Sequence, residues 1–211
     1  MQEIEWDKMR DEEEKFQKKI NLREDIKNTR EKLPREEVEE KSNLIKENLF
    51  SLPEFKSAHT VAFYVSLKKS NEVETEEMIK SALRMKKKVL VPITDLIENK
   101  LVFSEIKKFD DLAPGAFDIL EPVPEIRKIF PYEAIRLVVV PGIVFDLLGH
   151  RIGYGFGFYD RFLSQLTKYV IKIGLAFEMQ IVEKLPNESH DAKVDKVITE
   201  KRIIETKRMI I

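Results

Sequence analysis

Five of the chain's seven glycines lie in one 16-residue stretch, Gly142 to Gly157. Elsewhere glycine is almost absent, so tight turning and close backbone approach are concentrated in one place. Gly153, Gly155 and Gly157 alternate, and removing every second side chain suits a backbone that turns sharply or closes on a ligand. The apolar run Leu137–Val140 precedes the stretch and reads as a buried strand. Tyr159, Phe162, Leu163 and Leu166 follow at helical spacing, beside polar Asp160, Arg161 and Gln165. Strand, glycine loop and helix in that order aim unpaired N–H groups and a positive helix end at an anion. A nucleotide site is therefore the first expectation, and a loop that merely turns is the bland alternative.

The flanking sequence predicts an α/β protein. Residues 2–32 are strongly polar, with scattered Met9, Phe16, Ile20, Leu22 and Ile26, and predict a long, largely exposed helix. It closes near Leu33, because Pro34 disfavours helical geometry in its predecessor. Residues 1–15 read as a polar N-terminal extension and residues 16–211 as one domain. A second helix is expected from Arg35 to about Leu52, with Val38, Leu44, Ile45 and Leu49 inward and Pro53 as its stop. Strands are expected at Thr60–Val65, Val89–Val91, Leu101–Phe103, Leu137–Val140, Ile171–Ala176 and Val197–Thr199, with an edge strand at Met209–Ile211. A helix from Glu74 to about Lys87 separates the first two. Such alternation implies a mostly parallel sheet with helices on both faces, a three-layer α/β/α arrangement.

Composition narrows the function. Lys+Arg 37 against Asp+Glu 38 leaves a net charge of −1, no broad field for nucleic acid. Cysteine is absent, which excludes disulfides, thiolate nucleophiles and cysteine metal sites. No apolar stretch is long enough to span a membrane, and the N-terminus has no signal-peptide core, so a cytoplasmic protein is expected.

The glycine loop is neither a P-loop, which needs GxxxxGK, nor a Rossmann turn, since it spells GxGxG. Arg151 stands just upstream, placed for phosphate contact. Asp160, at the start of the next helix, is either an N-terminal cap or a magnesium ligand beside polyphosphate. Asp146 is expected to turn the chain after Phe145, and Asp191 is a second candidate carboxylate. His59, His150 and His190 lack ligand spacing and read as surface or capping residues. Glu72 either meets a substrate or precedes a helix start at Glu74–Thr75. Lys19 and Arg23 share one helix face, solvated unless that helix crosses the loop.

Taken together, these landmarks resemble the 5-formyltetrahydrofolate cyclo-ligase family over about Lys19 to Glu200. The matching residues are Val140-Pro-Gly-x-x-Phe-Asp146 and Gly149-x-Arg-x-Gly-x-Gly-x-Gly-x-Tyr-Asp160. They are supported by Lys19–Arg23, Asn71–Thr75, Pro92, Glu121-Pro122, Gly174–Phe177 with Gln180, and Leu185-Pro186. The resemblance implies an isomerase- and CoA-transferase-like fold and an ATP- and Mg²⁺-dependent closure of 5-formyltetrahydrofolate to 5,10-methenyltetrahydrofolate. By the same resemblance, Lys19, Arg23 and the loop Arg151, Ile152, Gly153, Tyr154, Gly155, Phe156, Gly157, Phe158 and Tyr159 contact ATP. Val65, Glu72 and Tyr154 to Phe158 contact folate, Arg151 and Tyr159 serve catalysis, and Asp160 and Asp191 hold the metal. A monomer or weak homodimer acting on small molecules is implied, with no nucleic-acid or membrane partner. Phe156 and Phe158 depart from the family pattern at positions usually held by a small or basic residue and by Tyr. The competing readings are an ATP-dependent kinase or ligase on another small molecule, and a catalytically silent nucleotide- or folate-binding module.

Overall fold

Short aliphatic strands with period-two alternation build two cores here, one on each face of a single sheet. The computed structural model describes residues 2–186 and 192–206. Its strands are β1 (Thr60–Ala62), β2 (Lys88–Asp95), β3 (Lys100–Ile106), β4 (Leu112–Pro114), β5 (Leu120–Pro122), β6 (Ile129–Phe130), β7 (Leu137–Val140), β8 (Val144–Asp146), β9 (Arg151–Ile152), β10 (Ile171–Leu175), β11 (Ile181–Val182), β12 (Lys196–Ile198) and β13 (Ile203–Glu205). Helices are α1 (Gln2–Glu31), α2 (Arg35–Ser51), α3 (Pro53–Ser57), α4 (Glu76–Arg84) and α5 (Phe158–Gln165).

The main sheet runs β13-β12-β10-β7-β1-β2-β3-β6. Its central strands β12, β10, β7, β1 and β2 are parallel, and antiparallel β13 and β3–β6 flank them. Alternate residues of one strand enter opposite cores, as the pleat requires. Leu137 and Val139 join Val61, Val89 and Ile173, under α2, α3 and α4. Val138 and Val140 join Ala62, Leu90 and Val197, beneath Phe162 and Leu163 of α5. Parallel strands buried on both faces are the expected three-layer α/β/α arrangement.

Several boundaries move for identifiable reasons. The buried stripe of α2 is Val38, Ser42, Ile45 and Leu49, so Leu44 falls off it and stays exposed. Pro53 ends nothing by itself; it opens α3, where its missing N–H costs no bond. β2 continues through Pro92 because β1 pairs only as far as Leu90, and beyond that point β3 is the one strand paired with it among the described residues. Residues 209–211, expected as an edge strand, lie outside the described residues, and β13 is the described edge.

The largest correction concerns the glycine stretch. β7 does not pass straight into the loop. A hairpin of β8 and β9 intervenes, with β11 paired to β8, and only then come the loop and α5. Asp146 closes the hairpin turn: its Oδ1 accepts the N–H groups of Leu148 and His150, at 2.9 and 2.8 Å. Its Oδ2 accepts the Leu185 N–H at 3.0 Å and lies 2.8 Å from His150 Nδ1. His150 is thus a buried partner of a buried carboxylate, not a surface residue.

Candidate active site

A cleft of about 310 Å³ opens at the carboxyl ends of β1, β2 and β7, where open parallel sheets place ligands. Tyr64 and Val65 follow β1, Pro92 and Thr94 end β2, and Pro141 and Gly142 follow β7; all six line it. Two buried hydroxyls hold the β1 exit open as a loop. Tyr64 Oη donates to the Val73 carbonyl at 2.8 Å, and Thr75 Oγ1 donates to the Tyr64 carbonyl at 2.8 Å. Those bonds bring Glu72 back to the cleft beside Val65.

The fourth side of the cleft is α1. Leu22 and Ile26 pack on Ile143, Val144, Ile152 and Leu185, a small core separate from the two around the sheet. The face carrying Leu22 and Ile26 also carries Lys19 and Arg23, and both basic residues line the cleft. Arg23 Nε donates to the Gly153 carbonyl at 2.9 Å. The condition left open by the sequence is therefore met: the first helix crosses the glycine loop, and its basic pair is not a solvated face.

The loop itself runs from Gly153 to Gly157, and Gly157 is the N-cap of α5. Asp160 is not the cap. Its carboxylate accepts from Arg151 Nη2 at 2.8 Å, with the Arg151 side chain 3% and the Asp160 side chain 37% exposed. The Arg151 guanidinium also lies 5.6 Å from the centroid of the Tyr159 ring. The Tyr159 hydroxyl is buried and has no hydrogen-bond partner among the described residues. Burial drives its pKa well above the usual phenol value, with Arg151 opposing and Glu72 adding to the shift. It is consequently a proton donor at neutral pH, aimed at nothing the protein supplies.

On the opposite wall, Tyr154 Oη donates to Glu72 Oε1 at 2.5 Å, and Glu72 Oε2 accepts the Leu67 N–H at 2.8 Å. Desolvation, followed by the Glu72 charge, pushes the Tyr154 phenol up to about 12. Tyr154 is 40% exposed overall, and its hydroxyl is tied to Glu72.

The structure brings Lys19, Arg23, Val65, Glu72, all of Arg151 to Tyr159 and Asp160 to one cleft. Asp191 lies outside the described residues, and among those no group of three metal-ligating side chains occurs. Sequence reasoning missed Phe117, which stacks on Phe156 with centroids 5.1 Å apart and stands 6.4 Å from Phe158. It sits at φ 57 after the Pro114-Gly115 turn, a conformation that side chains rarely adopt. Also missed was the placement of Glu121, which accepts the Thr94 N–H at 2.9 Å and fixes the β4–β5 hairpin against the end of β2. The turn was readable, but what it carries to the cleft was not.

Residues 15–200 match the sequence profile of the 5-formyltetrahydrofolate cyclo-ligase family. The 5-formyltetrahydrofolate cyclo-ligase of Escherichia coli (strain K12) is 30% identical over 182 residues, spanning 85% of this chain and 99% of its own. That of Haemophilus influenzae is 29% identical over 177 residues, spanning 83% and 94%. Among solved structures, Aquifex aeolicus 5,10-methenyltetrahydrofolate synthetase aligns with a TM-score of 0.79 and 33% identity, covering 90% of this chain and 93% of its own. A 5,10-methenyltetrahydrofolate synthetase from Mycoplasma pneumoniae aligns at 0.69 with 23% identity, covering 86% and 98%, a likeness of fold.

Proposed function

The chain belongs to the 5-formyltetrahydrofolate cyclo-ligase family, and from that premise we propose that it closes 5-formyltetrahydrofolate to 5,10-methenyltetrahydrofolate at the expense of ATP. One observation carries the reading. Three cationic side chains, a glycine loop, a buried unpartnered hydroxyl and an aromatic rim converge on a single cleft.

The residues fit a phosphate-bearing substrate. Lys19, Arg23 and Arg151 supply positive charge on two sides of the loop, where side chains are missing and the backbone is approachable. ATP, when bound, supplies the phosphoryl group that makes the formyl oxygen a leaving group, and Mg²⁺ screens the phosphate charge. Asp160 would hold that ion, since Mg²⁺ is usually bound through one or two carboxylates beside substrate phosphates. A cation held by Asp160 would share that carboxylate with the Arg151 guanidinium, which already bonds its Oδ1 at 2.8 Å. Asp191 is proposed as the second carboxylate.

At the folate end, Val65, Phe117, Phe156 and Phe158 offer apolar and aromatic surface for a flat ring, and Glu72 offers a carboxylate for its N–H donors. Tyr159 remains protonated and donates to the oxygen that accumulates charge. No protein nucleophile is needed: N10 of the folate attacks the activated carbon, the C–O bond breaks, phosphate leaves with the formyl oxygen, and N10 releases its proton to give the methenyl bridge. The apolar walls keep water from taking the place of N10.

A paired assay tests this reading. Purified protein with ATP, Mg²⁺ and 5-formyltetrahydrofolate should form 5,10-methenyltetrahydrofolate and ADP in equal amounts. ADP released without the methenyl product points to a kinase or ligase acting on another substrate. Binding of both compounds with no turnover points to a silent binding module.

A further inference from the structure

Arg30, in the last turn of α1, is 1% exposed and ranks among the largest fully buried side chains. A buried guanidinium needs its hydrogen bonds and its charge answered. Nε donates to the Ser70 carbonyl at 2.8 Å, and Nη2 donates to Tyr154 Oη at 3.1 Å. No carboxylate among the described residues pairs with it directly. The negative charge nearest along the hydrogen-bonded chain is Glu72, one residue further through Tyr154.

The direction of this chain is forced. Arginine only donates, so Tyr154 Oη must accept from Arg30, and its single proton goes to Glu72 Oε1. With Leu67 N–H on Oε2, both carboxylate oxygens are fixed. The fastening is reciprocal: the Asn71 side chain donates to the Arg30, Glu31 and Leu33 carbonyls at 3.2, 3.3 and 3.0 Å. Two turns earlier, Arg23 holds the neighbouring residue Gly153.

We propose that Arg30 is a positioning residue for the folate end of the cleft, acting through the Tyr154 hydroxyl to orient the Glu72 carboxylate toward the substrate. This rests on the reading that Glu72 meets folate. Arg30 itself does not line the cleft. Its role is to set the direction of one proton and to anchor one carboxylate. Because the connection runs through a single hydroxyl, removing Arg30 and removing that hydroxyl should damage the same thing, and doing both should add little.

The test compares Arg30→Met, Tyr154→Phe and the double variant, each as the full chain. Calorimetric titration with 5-formyltetrahydrofolate should show binding weakened about tenfold in each single variant, with less than about twofold further loss in the double. ADP affinity of Arg30→Met should stay within about twofold of the parent, a selectivity that a general loss of stability does not produce. A ligand-free readout accompanies these: exchange of the Leu67 amide, bonded to Glu72, should speed up about tenfold in both single variants and no further in the double.

Unchanged Leu67 exchange, or full additivity in the double variant, overturns the positioning role. An equal loss of ADP and folate affinity does so as well. If the parent protein binds no 5-formyltetrahydrofolate, the functional reading fails, and the exchange measurement still decides the link from Arg30 to Glu72. Should Arg30→Met not fold, Arg30→Lys, which keeps the charge but not the planar fork, replaces it in the same comparison.

Discussion

Gly149 and Gly155 share a left-handed backbone, at φ 86 and 100, yet a methyl group would act differently at each. At Gly149 an added Cβ would lie 2.4 Å from the Val194 carbonyl, and Val194 N–H is itself bonded to the Gly149 carbonyl at 2.9 Å. Neither side can retreat, so Gly149→Ala should cost about 3 kcal/mol and lower the melting temperature by roughly 6–12 °C. At Gly155 the nearest atom would be an Arg23 nitrogen 3.8 Å away, leaving only backbone strain of about 1–2 kcal/mol. Gly155→Ala should lower melting by roughly 2–8 °C while kcat/KM falls roughly tenfold. Calorimetry and kinetics on the pair check this, and the reverse pattern would move the functional loop from 155 to 149. The buried phenols make a second residue-level test. Desolvation raises the pKa of Tyr64, Tyr154 and Tyr159, that of Tyr154 to about 12, against 10.0 for a free phenol. Between those values the folded chain keeps protons that the unfolded chain releases, so this stabilisation is complete below pH 10 and is lost as pH rises toward 12. Unfolding free energy should drop above pH 10, less steeply in Tyr154→Phe, with part of the phenolate absorbance appearing only on unfolding. All five tyrosines ionising near pH 10 in a folded chain would contradict the burial described here.

α1 is the element whose role was least legible. Its polar sequence announced a helix but not a docking face, because two residues, Leu22 and Ile26, do the packing and their partners lie more than 100 positions away. Replacing both by Asp should undock α1 and raise the nucleotide KM at least about tenfold through loss of the contacts proposed for Lys19 and Arg23. The cores around the sheet contain neither residue, so their melting should stay near the parent value. Simultaneous collapse of the whole fold would instead make α1 a structural member. Element legibility followed signal length. Four aliphatic residues at Leu137–Val140 marked β7 unambiguously, whereas β8 and β9 have three and two residues, too few for alternation to register. The sequence left Asp160 between a cap and a magnesium ligand; Gly157 took the cap position and left the carboxylate to Arg151.

At the scale of the molecule, the sheet decides where chemistry happens. Phe145 plugs the core beside Gly142 and Gly174: its ring would lie 2.5 Å from a Cβ at either, so both glycines serve packing. The parallel strands above that plug end together and leave the space that α1 and the loop enclose. This part of the site was legible as one linear run, Arg151 to Asp160. Phe117 and Arg30 were not, since they reach it only through the turn of the β4–β5 hairpin and the last turn of α1. The central claim is that this enclosure brings a phosphoryl donor to the formyl oxygen of the folate. The direct measurement follows that oxygen: 5-formyltetrahydrofolate carrying ¹⁸O in its formyl group is turned over with ATP, and the released phosphate is analysed by mass spectrometry. The label should appear in inorganic phosphate, one atom per methenyl product, whereas label recovered in water, with unlabelled phosphate, would contradict the account.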